Sequence, residues 1–166
     1  MPFRAIALIA ALVLSAAAQA APRTWQGTVR HVTDGDTLWV LPSWGAETVQ
    51  VRLQGIDAPE ICQEGGPQAR AALAQLQDQP VTVLARGRDD YGRTLARLQW
   101  GNADVGAWLV FNGLAWSYAY RGDPGPYADL QAQARDARRG IWALLPQQPL
   151  RPRDFRKRYG SCHAPR

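Results

Sequence analysis

Thr37-Leu38-Trp39-Val40-Leu41, the turn Pro42-Ser43-Trp44-Gly45, and Thr48-Val49-Gln50-Val51-Arg52-Leu53 read as strand, turn, strand. In the second strand Val49, Val51 and Leu53 alternate with Gln50, Arg52 and Gln54, the period of a half-buried strand. Working outward, residues 25–32 mix β-formers with polar residues, and Asp34-Gly35-Asp36 is a turn signal before Thr37. Three strands at short spacing predict an antiparallel meander. Gly66-Pro67 then opens a helix, with Ala69, Ala72, Leu73 and Leu76 on one face, and Pro80 stops it. Val81-Thr82-Val83-Leu84 and residues 94–100 are the fourth and fifth strands, joined by the polar loop 86–93. Asn102 is placed to cap a second helix carrying Val105, Trp108, Leu109 and Leu114, and a third runs over about residues 127–139. Five strands and three helices, one inserted before the fourth strand, predict an α+β domain built on a five-stranded Greek-key barrel of the OB type. Trp39, Trp108, Trp116 and Trp142 are assigned to its core.

The 166 residues are 46% hydrophobic and 20% charged, enough apolar material for one compact domain and too much for a disordered chain. Residues 1–20 read as a secretory signal peptide: Arg4 in the n-region, an apolar run, and Ala18-Gln19-Ala20 as a small-x-small cleavage site. The run is short for a membrane span of ~20 residues. The expected divisions are therefore 1–20 as signal, 21–142 as the barrel domain and 143–166 as a basic Pro/Arg-rich tail. An exported chain, periplasmic or extracellular, leaves the reducing cytosol, so its two cysteines, Cys62 and Cys162, are expected to pair. In the loop-entropy model such a long-range bridge contributes about 4–5 kcal/mol. With no nearby histidine pair, a zinc site is disfavoured. The net charge of +5 and pI of about 9.8 favour acidic partners such as nucleic acid. Arg151, Arg153, Arg156, Lys157 and Arg158, with Phe155 and Tyr159 between them, read equally as a polyanion contact or as a solvated tail.

The chemistry-bearing residues cluster in two segments and a loop. Asp36 follows a turn and Asp57 ends a strand, and neighbouring strands of a small barrel can bring two such carboxylates together. Oxygen ligands in irregular geometry suit calcium better than zinc or copper. Glu60, behind Pro59, is a candidate general base or water-orienting group. Arg52 alternates away from the apolar face, and Arg93 follows Tyr91-Gly92, a tight turn that could aim it into the same place. Planar guanidiniums bind phosphate oxygens in pairs and stabilise charge growing on a phosphorane. Tyr91, Tyr118 and Tyr120 can stack on bases. Taken singly, each residue has an ordinary reading: Asp34 and Asp36 as turn formers, Glu60 and the arginines as surface charges, the tyrosines as packing.

Together these residues resemble the staphylococcal (micrococcal) nuclease, or thermonuclease, family. The matching pieces are Val32-Thr33-Asp34-Gly35-Asp36-Thr37, Val51-Arg52-Leu53-Gln54-Gly55-Ile56-Asp57-Ala58-Pro59-Glu60 and Asp90-Tyr91-Gly92-Arg93-Thr94-Leu95-Ala96, with weaker support from Asn112-Gly113-Leu114-Ala115 and Gly140-Ile141-Trp142. The resemblance implies Ca²⁺-dependent hydrolysis of DNA and RNA at the 5′ P–O bond, leaving 3′-phosphates. It implies that Asp36, Asp57 and the Ala58 carbonyl bind the metal, with Asp34 nearby through water. It implies that Glu60 activates water, that Arg52 and Arg93 hold the phosphate, and that Tyr91, Tyr118 and Tyr120 line the nucleotide site of a monomer that has no membrane attachment once its signal is removed. Three departures stand out. Ala58 replaces the threonine of the best-known member, losing a hydroxyl, Asp90 stands where that member has a lysine, weakening attraction for phosphate, and the loop over residues 61–66, which flanks the site, is short and contains Cys62. The competing reading is a non-catalytic OB-fold nucleic-acid-binding module, which would have no need of the carboxylate set.

Overall fold

The computed structural model describes residues 23–143 and 149–162. The expected signal segment lies outside the described residues. Eight strands run in chain order: β1 (Arg23–Val32), β2 (Thr37–Pro42), β3 (Val49–Leu53), β4 (Ile56–Asp57), β5 (Pro80–Arg88), β6 (Thr94–Trp100), β7 (Ala103–Asp104) and β8 (Trp116–Ser117). The helices are α1 (Gly66–Ala74), α2 (Val105–Phe111), α3 (Ala128–Asp136) and α4 (Pro152–Tyr159), with a 3₁₀ turn over Gly140–Trp142. The sheet order is β3-β2-β1-β5-β6-β7, and a β3–β6 pairing closes the five long strands into a barrel. That closing pair is parallel, Val51 opposite Thr94 and Arg52 opposite Leu95, while the other ladders are antiparallel. The expected OB-type α+β barrel is what the chain forms.

The core follows from the alternation. Val29, Leu38, Val40, Val51, Val83 and Leu98 point inward and are fully buried. Ala69 and Leu73 of α1 and Leu109 of α2 seal the barrel. A buried Leu or Val side chain contributes about 1.5–3 kcal/mol relative to exposure, so this face holds the barrel closed. Because side chains alternate with period two, the same strands that bury Val51 and Leu53 present Arg52 to the opposite side. Of the four tryptophans expected inside, Trp116 is fully buried. Trp39 and Trp142 are half-buried and Trp108 is exposed on the outer side of α2, because the α2 turn buries Val105, Gly106, Leu109 and Val110 instead.

Local starts and stops differ from the sequence expectation in physically clear ways. Asp104, rather than Asn102, caps α2, its carboxylate accepting the Ala107 N–H at 3.0 Å. β5 continues past Leu84 to Arg88 through a register shift between Ala85 and Gly87, so part of the polar loop is ladder. The basic tail contains a fourth helix, α4, which begins on Pro152, where the ring's fixed φ is already helical and its missing N–H is no loss. Among the described residues no helix is long and apolar enough to cross a membrane.

Candidate active site

Asp36 is placed by its own turn and by the barrel. Asp34 folds back so that its carboxylate accepts the Asp36 N–H at 3.0 Å, and the Asp36 carbonyl accepts the Leu53 N–H at 2.8 Å, anchoring the start of β2 to the end of β3. Gly35 makes this packing possible: a Cβ there would stand 2.7 Å from the Cβ atoms of Ala58 and Ala69. The turn thus presses directly on the segment that carries the second carboxylate. That segment, β4, is fixed by a short antiparallel pairing with β8, Asp57 opposite Trp116 and Ile56 opposite Ser117.

The two carboxylates meet at Arg52. Its Nη1 donates to Asp36 Oδ1 and its Nη2 to Asp57 Oδ1, the latter at 3.0 Å. Asp36 Oδ1 also accepts the Thr37 hydroxyl at 3.0 Å, and its Oδ2 accepts the Ala58 N–H at 3.0 Å. Asp36 is 2% exposed and Asp57 8%. Burial pushes both carboxyls upward, against the attraction of Arg52; Asp57 is raised to about 6, with Asp36 repelling it and Arg156 drawing it down. The Arg52 guanidinium loses solvation too, but Asp36 and Asp57 more than offset this and keep it protonated.

Glu60 stands three residues beyond Asp57. Its carboxylate pairs with Arg156 of α4, a partner from the far end of the chain. Its backbone N–H donates to Gln63 Oε1 at 3.2 Å, and its carbonyl accepts the Gln63 N–H at 2.8 Å, a tight turn. The first turn of α1 abuts that carbonyl, where a Cβ on Gly66 would overlap it.

Beside the carboxylates opens a cleft of about 690 Å³. Arg52, Arg86, Arg93 and Arg97 supply its positive wall, and Tyr91, Tyr118 and Tyr120 its aromatic one. The tyrosines are 85%, 48% and 57% exposed, so their rings are available to a ligand rather than spent on packing. Arg93 is brought beside Arg52 by the β3–β6 closure, since it directly precedes Thr94, the partner of Val51. The sequence reading missed what holds it. Asp89 accepts the backbone N–H of Tyr91 at 3.0 Å and of Arg93 at 2.9 Å, and its carboxylate takes the Arg93 Nε at 2.7 Å. Burial acts to raise the Asp89 carboxyl, but these hydrogen bonds outweigh it and hold it below its usual range. The Arg93 guanidinium lies 5.3 Å from the Tyr91 ring centre, a cation–π contact. An aspartate two residues before an exposed N–H in a Tyr-Gly turn was the available signal.

A staphylococcal nuclease homologue model matches residues 50–144. The chain is 38% identical to a micrococcal nuclease of Shigella flexneri over 152 residues, 84% of each chain. It is 37% identical to an uncharacterized endonuclease of Haemophilus influenzae, over 78% of this chain and 71% of that one. It is also 38% identical to protein ParB of Escherichia coli, over 84% and 83%. The chain belongs to the staphylococcal nuclease family.

Within this staphylococcal nuclease homologue, among the described residues, four carboxylates, Asp34, Asp36, Asp57 and Glu60, lie with only two guanidiniums, Arg52 and Arg156, paired to them. The excess of negative charge, the burial of Asp36 and Asp57 and the all-oxygen composition fit a hard divalent cation. Among the described residues no group of three or more His, Cys, Asp and Glu side chains converges as a ready metal cage. A cation here would rest on the Asp36–Asp57 pair and complete its shell with backbone carbonyl and water oxygens. The cysteines expected to pair do so: Cys62 and Cys162 form a disulfide, with 5.6 Å between their Cα atoms.

Proposed function

We propose that this chain is an exported, monomeric, Ca²⁺-dependent nuclease that hydrolyses DNA and RNA at the 5′ P–O bond and leaves 3′-phosphates. The observation that carries the reading is the Arg52 guanidinium spanning two buried carboxylates at the edge of an arginine- and tyrosine-lined cleft. Kinship with a protein named micrococcal nuclease points the same way, and the disulfide suits an oxidising compartment.

The residues take the following roles. Tyr91, Tyr118 and Tyr120 stack on bases of a single-stranded or unwound substrate. Arg52 and Arg93 hold non-bridging oxygens of the scissile phosphate; when phosphate arrives, Arg52 can share its fork between it and the carboxylates. Asp36, Asp57 and the Ala58 carbonyl would hold calcium, with Asp34 bearing on it through water, and the ion would supply charge neutralisation at the phosphate. Glu60 accepts a proton from the attacking water as the water oxygen bonds to phosphorus in line with the leaving 5′-oxygen. The P–O5′ bond breaks, the 5′-oxygen takes up a proton from solvent water, Glu60 gives its proton back to solvent, and the arginines balance the added negative charge.

The deciding test is incubation of the chain from Ala21 with denatured DNA, in calcium and then in excess chelator. Calcium-dependent release of 3′-phosphorylated fragments supports the reading. Tight binding with no cleavage would replace it with the non-catalytic binding module. In the active case, Glu60→Ala should lower kcat by on the order of 10²–10⁴-fold with little change in substrate affinity; unchanged turnover removes Glu60 from the chemistry.

A further inference from the structure

The turn that carries Glu60 is joined to the C-terminal segment by three separate links. Arg156 of α4 pairs with the Glu60 carboxylate. Gln63, 6% exposed, accepts the Glu60 N–H through Oε1 and donates through Nε2 to the Leu150 carbonyl at 2.6 Å. One residue earlier, Cys62 is bonded to Cys162, and its N–H also points at the Cys162 sulfur at 3.2 Å. Phe155 and Tyr159, with ring centres 4.9 Å apart, line a small cleft with Gln63, Glu64, Ile141 and Leu150. A tail serving only solubility has no need of a covalent bond, a buried amide bridge and an ion pair, all converging on four consecutive residues. The Glu60 side chain is only 14% exposed, while the Arg156 side chain is 43% exposed. The arginine therefore clamps one oxygen of the carboxylate from the solvent side.

We propose that α4 is a built part of the active site and that Arg156 is a positioning residue for Glu60, held in place by the Cys62–Cys162 bridge. This inference rests on the catalytic role assigned to Glu60. Glutamate has three rotatable side-chain bonds, and Pro59 and the Gln63 bonds fix only its backbone. The guanidinium fixes the remaining freedom by binding Oε1 and leaving Oε2 as the oxygen available to water. A misplacement of about 1 Å in a reacting group costs on the order of 100-fold in rate, so the ion pair acts on turnover. Substrate binding depends on the arginines and tyrosines of the cleft and is left alone. The long reach from residue 60 to residue 156 explains the disulfide: it keeps α4 beside the site at high effective concentration.

The test compares Arg156→Gln and Arg156→Lys with Arg153→Gln, an exposed residue of the same helix, using a single-stranded DNA oligonucleotide in calcium. Removing either arginine takes one positive charge from α4, so a merely electrostatic tail would respond equally to both. The expected result is a kcat loss of about 10- to 100-fold in Arg156→Gln with KM changed less than about threefold, partial recovery in Arg156→Lys, and near wild-type kcat in Arg153→Gln. The Cys62→Ser/Cys162→Ser double variant should lower kcat in the same direction, and adding Arg156→Gln to it should cost little more, because both changes free the same carboxylate. Equal behaviour of the two glutamine variants, or a rise in kcat on losing Arg156, overturns the proposal while leaving the nuclease intact. Absence of cleavage by the unaltered chain overturns both readings.

Discussion

Asp57 sits in an environment that works against its charge. Burial raises its carboxyl to about 6, above the usual aspartate value near 4, because Arg52 must serve Asp36 as well. An acid whose folded pKa exceeds its unfolded one binds more protons when folded. Its contribution to stability is complete below about pH 4 and is lost as pH rises through about 6. In chelator the protein should therefore be more stable near pH 5 than near pH 8, as far as this group is concerned. Asp57→Asn removes the surplus charge and leaves Arg52 paired with Asp36. It should raise stability in chelator at pH 8 by about 1–2 kcal/mol, after allowing for the lost charge-assisted hydrogen bond. The same variant should lose most of the calcium-induced rise in Tm that the proposed site predicts for the parent chain. Thermal melts at pH 5 and 8, with calcium and with chelator, check both; equal or lower stability of Asp57→Asn at pH 8 would mean that the Arg52 bridge outweighs the cost of burying the second carboxylate.

At the scale of elements, the site is a junction of a turn, a strand pair and a helix start. The 34–36 turn, the β4–β8 pair and the start of α1 are packed so closely that Gly35 has no room for a side chain. Gly35→Ala would drive a methyl into Ala58 and Ala69, costing roughly 1–3 kcal/mol as an overpacking change and moving Asp36 away from the Ala58 N–H. Loss of calcium affinity larger than the loss of stability is the expected pattern, read from calcium titration of Tm. Much of this geometry was legible in the chain: Gly between two aspartates, the alternation of β3, and the fifth strand expected over residues 94–100, which is β6. Other parts were not, because long-range pairing decides them. Arg86-Gly87-Arg88 reads as loop, yet Gly87 and Arg88 pair with Leu95 and Thr94 and extend β5 to the cleft. α4 carries only one aromatic pair, Phe155 and Tyr159, among basic residues, so its place is set also by the disulfide and by Arg156. Arg156 could be read only as one more basic residue in a tail, and Gln63 as one more polar residue in a loop, since partners 96 and 87 positions away leave no local pattern.

For the molecule as a whole, charge and shape act together. A chain with net charge +5 concentrates Arg52, Arg86, Arg93 and Arg97 in one cleft and places more basic residues on α4 beside Glu60. Not all of these are free to meet phosphate, because Arg93 is tied to Asp89 and Arg52 to two aspartates. Three or four phosphate contacts are a realistic total for a site of this size. For single strands each contact contributes about −0.7 to the slope of log K against log salt, giving a slope of about −2 to −3. Raising salt fourfold should then weaken apparent DNA affinity on the order of 30-fold. The rate at saturating DNA should change far less, because the groups to which we assign the chemistry, Glu60 and the buried Asp36–Arg52–Asp57 bridge, are shielded from bulk ions. KM and kcat measured across that salt range, at fixed free calcium, separate the two effects. A flat KM would show that the arginine-lined cleft is not where the polyanion binds, and a kcat falling in parallel with affinity would place a salt-sensitive contact inside the catalytic step itself.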